Sequence, residues 1–182
     1  ARDIESRSPY HVLGKIYMAA GQAEDARKAF EKVLKRAPGD PFANMNLAQL
    51  AMEAGDNDAA RKYYDTILEH DLSHLSALTQ MAALEAREDN RKGVLRRLEQ
   101  ARTAHPDALE PRLNLASYYM STGEPEKVAA LFESLGELQR NSPRVLETTA
   151  MALMIQEKYD DATAKFEELV AAQPRSPKSR YL

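Results

Sequence analysis

The sequence predicts an all-α fold, a right-handed α-solenoid of five helix–turn–helix units. Three observations lead to it. Residue classes recur every 34 positions, so that Leu13, Gly14, Tyr17, Gly21, Ala26 and Phe30 are answered by Leu47, Ala48, Ala51, Gly55, Ala60 and Tyr64. Within a unit the apolar residues, such as Leu13, Tyr17, Ala26, Phe30 and Val33, fall at helical intervals rather than alternating as in a strand. Helix starts and inter-helix turns are marked by Asp-Pro or Ser-Pro pairs and by glycine at matching offsets.

The units follow in order without insertion or deletion. Residues 1–6 stand in the register of the tail of a preceding unit, and the chain begins at Ala1 without a Met, as expected of a piece cut from a longer array. Unit one, 7–40, opens on Ser8-Pro9, turns at Gly21 and ends near Pro38. Unit two, 41–74, opens on Asp40-Pro41 and turns at Gly55. Unit three, 75–108, carries Met81, Ala82 and Leu98 and ends at Pro106. Its turn has Asp89 in place of glycine and so is expected to close differently. Glu85 replaces the aromatic seen at Tyr17 and Tyr119, which reads as drift in a tolerant position. Unit four, 109–142, has Leu115, Ala116, Tyr119, Gly123 and Phe132. Unit five, 143–176, opens on Ser142-Pro143, carries Ala150, Ala162 and Phe166, and has Glu157 at its turn. Val94 and Val128 replace the small Ala26, Ala60 and Ala162, which predicts wider helix crossings in units three and four. Residues 177–182 stand where a following unit would start, after Ser176-Pro177. The whole of 1–182 is therefore expected to be one solenoid. With no polar cap evident at either end, its end faces are expected to self-associate end to end.

Composition narrows the function classes. The 182 residues are 43% hydrophobic and 29% charged, with net charge −3, which gives no overall pull toward nucleic acid or an anionic membrane. No cysteine is present, which removes disulfides, thiolate metal sites and a Cys nucleophile. No apolar run approaches the roughly 18 residues of a membrane span. His70 and His74 are four apart but lie where a helix ends, with no acidic residue completing a metal motif. No nucleophile elbow or phosphate loop is found, and Glu167-Glu168 diverge around a helix as a solvated pair does. The basic run with Arg91, Lys92, Arg96, Arg97 and Arg102 lacks interleaved aromatics, so it reads as a solvated outer face. The expectation is a non-enzyme with no cofactor, no metal and no nucleic-acid partner.

The 34-residue pattern, from Leu13-Gly14 through Pro38 and its later copies, resembles the tetratricopeptide repeat over residues 7–176. That resemblance implies a concave groove lined by the first helix of each pair, where a protein or peptide partner binds. Two patterns map onto it. Val12, Asn46, Gln80, Asn114 and Thr148 form a register row whose middle three are carboxamides, able to donate to and accept from a peptide backbone. This is similar to the asparagine ladder of the O-linked N-acetylglucosamine transferase superhelix. Met18, Met52, Met120 and Met154 share a second inner place, with Met45 and Met151 at others, and only Met81 reads as core. Methionine surfaces adapt to varied apolar ligands. Gln49 and Ser117 complete the expected partner-binding set. The chaperone-type carboxylate clamp is not matched: its places read His11, Lys15, Asn46, Ser76 and Gln80, and only Asn46 fits. Phe42 alone is aromatic inside the groove, which argues against a sugar platform.

The wording of the later repeats adds a narrower likeness. Leu84-Glu85, Pro106 through Pro111-Arg112-Leu113, Leu115-Ala116 with Tyr118-Tyr119, and Pro143 with Val145-Leu146 resemble the bacterial repeat lipoproteins of the exosortase/PEP-CTERM system. The resemblance implies a periplasmic or outer-membrane-attached scaffold beside exopolysaccharide machinery. The competing readings are the periplasmic scaffold region of a polysaccharide secretion protein, which contacts the polymer or its modifying enzyme, and a cytoplasmic adaptor of the same repeat class.

Overall fold

The computed structural model describes residues 8–172, and every regular element among them is helical. Helices α1 (Pro9–Ala19) and α2 (Ala23–Leu34) form the first pair, α3 (Pro41–Glu53) and α4 (Asn57–His70) the second, α5 (Leu75–Arg87) and α6 (Arg91–Ala104) the third. The fourth pair is α7 (Leu109–Ser121) with a broken partner: a 3₁₀ turn at Pro125–Lys127, then α8 (Val128–Phe132) and α9 (Glu137–Arg140). Helices α10 (Pro143–Ile155) and α11 (Tyr159–Ala172) make the fifth. The flanking stretches 1–6 and 177–182, and the Ser176-Pro177 cap, lie outside the described residues. The chain divides into two compact units, 1–101 and 102–182, with the division inside α6.

In the first unit the second helix of one pair packs on the first helix of the next, α2 on α3 and α4 on α5. Phe30, Val33, Leu47 and Leu50 form one buried cluster, and Tyr64, Ile67, Leu78, Met81 and Leu84 form another. Leu13 was expected to be core but is 36% exposed, whereas its register equivalents Leu47, Met81 and Leu115 are fully buried. Leu47 and Met81 lie beneath the second helix of the pair before them, and no described helix precedes α1 to cover Leu13. Gly14 is required by packing, since a Cβ there would sit 2.5 Å from the Phe30 ring.

Helix starts are capped largely as the sequence implies. Asp40 accepts from the Ala43 N–H at 2.7 Å and Asp56 from Ala59 at 2.9 Å. His74 caps α5 through Nδ1, 3.2 Å from the Ala77 N–H, while His70 Nδ1 lies 2.9 Å from the Thr66 carbonyl. Both histidines thus have structural work at helix ends. Ser142 departs from expectation: it makes no side-chain cap, and its hydroxyl donates back to the Gln139 carbonyl at 2.6 Å.

The turns correct the sequence reading. Gly21, Gly55 and Gly123 take φ of 72°, 77° and 79°, and Asp89 and Glu157 take 54° and 59°. The hydrogen bonds match too: the N–H groups of Gln22, Asn90 and Lys158 donate five residues back, to the carbonyls of Tyr17, Glu85 and Leu153, across the left-handed residue. All five turns therefore close alike, and Asp89 and Glu157 bear the steric cost that glycine avoids.

The fourth pair departs most from the repeat. Its second helix stops at Phe132, and a short connection containing buried Leu135 and Gly136 leads to α9. The buried Arg112 of α7 supports this break. Its Nε donates to the Leu131 carbonyl at 3.0 Å, Nη1 to Ala108 at 3.1 Å and Nη2 to the Ser134 hydroxyl at 3.2 Å. A guanidinium here supplies donors to carbonyls that a continuous helix would satisfy internally. The interrupted helix leaves an open hollow of about 430 Å³ over Phe132, Val145 and Leu146, beside Thr149, which occupies the register place of Leu47 and Leu115.

Candidate partner-binding groove

Within the first unit, helices α3 and α5 present their first-helix faces around one open depression of about 420 Å³. It brings together five of the expected partner-binding residues: Met45, Asn46, Gln49, Met52 and Gln80. Tyr64, Glu53 and Arg87 complete the lining. A second depression, about 330 Å³, lies alongside and is lined by Lys15, Met18, Gln49 and Glu53 among others. Gln49 and Glu53 border both, so α1, α3 and α5 frame a run of two adjoining hollows. The repeat produces this arrangement directly. A 34-residue step brings the same helix face back to the same side, so Asn46 and Gln80 meet across the hollow although far apart in sequence.

The methionines divide by exposure. Met81 is fully buried, as expected. Met45 and Met52 are half-buried and pack against the Tyr64–Leu78–Met81 cluster, and Met18 packs against the Phe30–Leu47 cluster. These three are at once the edge of the core and the apolar wall of the hollows. In the second unit Asn114 and Met120 are half-buried and Ser117 exposed on α7, while Met151 and Met154 are exposed on α10. None of these five lines the hollows of the first unit.

The amide row is less available than its register suggests. Asn46 is buried; its Nδ2 donates to the Phe42 carbonyl at 2.7 Å and its Oδ1 accepts from Lys15 Nζ at 3.4 Å. Both ends of that amide are engaged within the protein. Gln49 donates to Glu53 at 2.9 Å, and Thr148 bonds the Arg144 carbonyl at 2.7 Å. Phe42 packs edge-on against His11 and Phe30, so it belongs to the core rather than offering a flat face. His11, a clamp position, is buried with Nε2 3.1 Å from Asp40.

Two features escape sequence reasoning. The first is Tyr64. The residue is only 3% exposed, it borders the hollow, and its hydroxyl makes no hydrogen bond among the described residues. Burial pushes its pKa above the usual value of 10.0, with the Arg87 guanidinium opposing, so the hydroxyl is a donor at neutral pH.

The second is Glu85, which is no product of drift. Its carboxylate is buried, with Arg61 at 3.4 Å, Arg96 at 3.6 Å and Arg97 at 3.9 Å, and Asn90 donates to it as well. Arg97 is therefore drawn out of the solvated basic face expected for α6, while Arg96 stays exposed and reaches Glu85 from that face. Gly93 makes room: a Cβ there would lie 1.5 Å from Glu85 Oε2. The glycine inside an otherwise helical pattern was the signal available in the sequence.

Tetratricopeptide-repeat profiles match residues 11–73 and 85–152, together well over half the chain. The chain belongs to the tetratricopeptide-repeat family. Its tetratricopeptide fold is shared with solved structures of low identity. A MamA protein has TM-score 0.71 at 19% identity, covering 94% of this chain and 93% of that one. Pseudomonas aeruginosa pilF gives 0.68 at 22%, covering 93% and 78%. YrrB, described as a tetratricopeptide protein with an unusual peptide-binding site, gives 0.66 at 13%, covering 95% and 89%. By sequence, this tetratricopeptide chain is 28% identical to the cellulose synthase operon protein C of Pseudomonas fluorescens SBW25 over 95% of its length, and it spans 15% of that relative. Among the described residues no helix is long and apolar enough to cross a membrane.

Proposed function

We propose that this chain is a non-catalytic scaffold segment that holds an extended stretch of a partner protein along α1, α3 and α5, within bacterial envelope machinery linked to exopolysaccharide. The observation that carries the reading is the single hollow in which Met45, Asn46, Gln49, Met52 and Gln80 converge. It combines an apolar wall with polar groups on a repeat scaffold, the composition suited to a peptide rather than to a sugar, which favours flat exposed aromatics. The proposed partner-binding set also includes Asn114, Ser117, Met120, Met151 and Met154 of the second unit, which hold the register places of Asn46, Gln49 and Met52.

The likeness to a cellulose synthase operon protein supports the polysaccharide link, and with it the reading as a scaffold region of a polysaccharide secretion protein. The exosortase/PEP-CTERM lipoprotein reading places the chain in the same compartment and rests on the wording of the later repeats alone. Affinity capture from an envelope extract, read by mass spectrometry, tests the assignment. The expected catch is a protein of polysaccharide synthesis, modification or export. A catch confined to cytoplasmic proteins overturns the envelope placement, and turnover of an envelope substrate by the pure chain overturns the non-catalytic reading.

A further inference from the structure

The groove contains a charged subsite that the partner-binding expectation did not include. Arg87 ends α5 at the edge of the 420 Å³ hollow, is exposed, and forms no ion pair or hydrogen bond among the described residues. Three other basic side chains of the first unit are engaged within the protein: Arg61 and Arg97 by Glu85, and Lys15 by Asn46. Tyr64, from the second helix of the pair before, is a mostly buried side chain that borders the same hollow, and its hydroxyl has an unused donor among the described residues. Gln80 adds an exposed carboxamide without an internal partner among the described residues. Met45 and Met52 form the apolar wall beside them. The one acid in the lining, Glu53, is held by Gln49 on the border with the second hollow.

We propose that Arg87, Tyr64 and Gln80 form an acid-reading subsite that takes an Asp or Glu side chain of the extended partner segment, with an apolar partner residue lying against Met45 and Met52. An unpaired guanidinium and a neutral phenol both donate and both match a carboxylate, and the partly desolvated floor strengthens the pairing. A lysine in that place would meet the Arg87 charge and find only neutral acceptors and a Glu53 already in use. The partner commitment is thus an acidic peptide with a neighbouring apolar residue. Because this deepens the groove reading and rests on it, the test separates the two.

The test pans a phage-displayed library of random 12-residue peptides against the whole chain, then measures the enriched peptides by fluorescence anisotropy. Wild type is expected to enrich peptides carrying Asp or Glu next to an apolar residue. Arg87→Gln and Tyr64→Phe should each weaken those peptides by about tenfold, the loss of one donor to the carboxylate. Tyr64→Phe keeps the buried ring, and Arg87→Gln changes an exposed side chain, so circular dichroism should show both folded. Arg87→Glu should shift enrichment toward Lys and Arg. A groove blocked by volume, Gln49→Trp with Gln80→Trp, should abolish binding of the same peptides. Peptides lost from the blocked groove but showing no acid enrichment and no response to Arg87→Gln overturn the subsite and leave the groove reading standing. Peptides indifferent to the blocked groove, or no enrichment at all, overturn both.

Discussion

At the scale of single residues, the most consequential side chain is Glu85. A carboxylate in a core position is stable only when paired, and Arg61, Arg96, Arg97 and Asn90 supply the pairing. Removing it strands those cations around a cavity. Glu85→Ala is expected to lower unfolding free energy by about 2–4 kcal/mol, less than for a fully enclosed pair because Arg96 reaches solvent. Urea unfolding checks this. Gly93→Ala should be destabilising alone, since its Cβ would meet the Glu85 carboxylate. In the Glu85→Ala background the same change should become favourable by about 1 kcal/mol, the ordinary helix gain of Ala over Gly. Equal effects in both backgrounds would show that Gly93 does not exist to admit Glu85. The sequence made this site hard to read because Glu85 and its charged partners lie on three helices, α4, α5 and α6, that only packing brings together. Asn46 teaches the converse. Its register was legible, but its hydrogen bonds to Phe42 and Lys15 were not, since they depend on local rotamers.

At the scale of elements, the turns and caps were legible because they are local. Gly21, Gly55 and Gly123 marked left-handed positions by residue type alone. Asp89 and Glu157 hid two more, because the backbone hydrogen bonds of the turn outweigh the steric cost at a residue with a Cβ. Glu157→Gly should therefore raise stability by about 0.5–1 kcal/mol, and Asp89→Gly by less, since Asp tolerates the left-handed region better. Gly21→Ala should lose about 1 kcal/mol although nothing crowds it, because the strain is in φ. Thermal melts of the three variants give the comparison. The broken second helix of the fourth pair was not legible, because its cause lies partly in a distant arginine. Arg112→Ala should cost about 2–3 kcal/mol and speed amide exchange across 125–140 before the rest of the second unit. Uniform exchange over the whole unit would contradict a local role for Arg112.

At the scale of the molecule, a 34-residue repeat made the fold readable from sequence, because each pair packs chiefly against its neighbour. Function was less readable, since the repeat specifies a surface and only the groove side chains specify a ligand. Val12 and Ile16 are 56% and 57% exposed beside Leu13, an apolar strip on α1. End-to-end association would cover it, so sedimentation should show concentration-dependent dimers that Ile16→Glu abolishes. Monomers at all concentrations would remove self-association from the account.

The central claim is that the α1–α3–α5 face is the recognition surface. Met45 and Met52 are poor places to test it, because they also support the core. Gln49 and Gln80 are exposed on the same hollow, and tryptophan at both would fill it at a helix-propensity cost of about 1 kcal/mol. The measurement is a paired capture from envelope extract with wild type and the Gln49→Trp/Gln80→Trp variant, both verified as folded by circular dichroism. The account predicts a specific protein retained by wild type and lost from the variant. The same catch from both would contradict it and move recognition to the outer helices or the ends of the array.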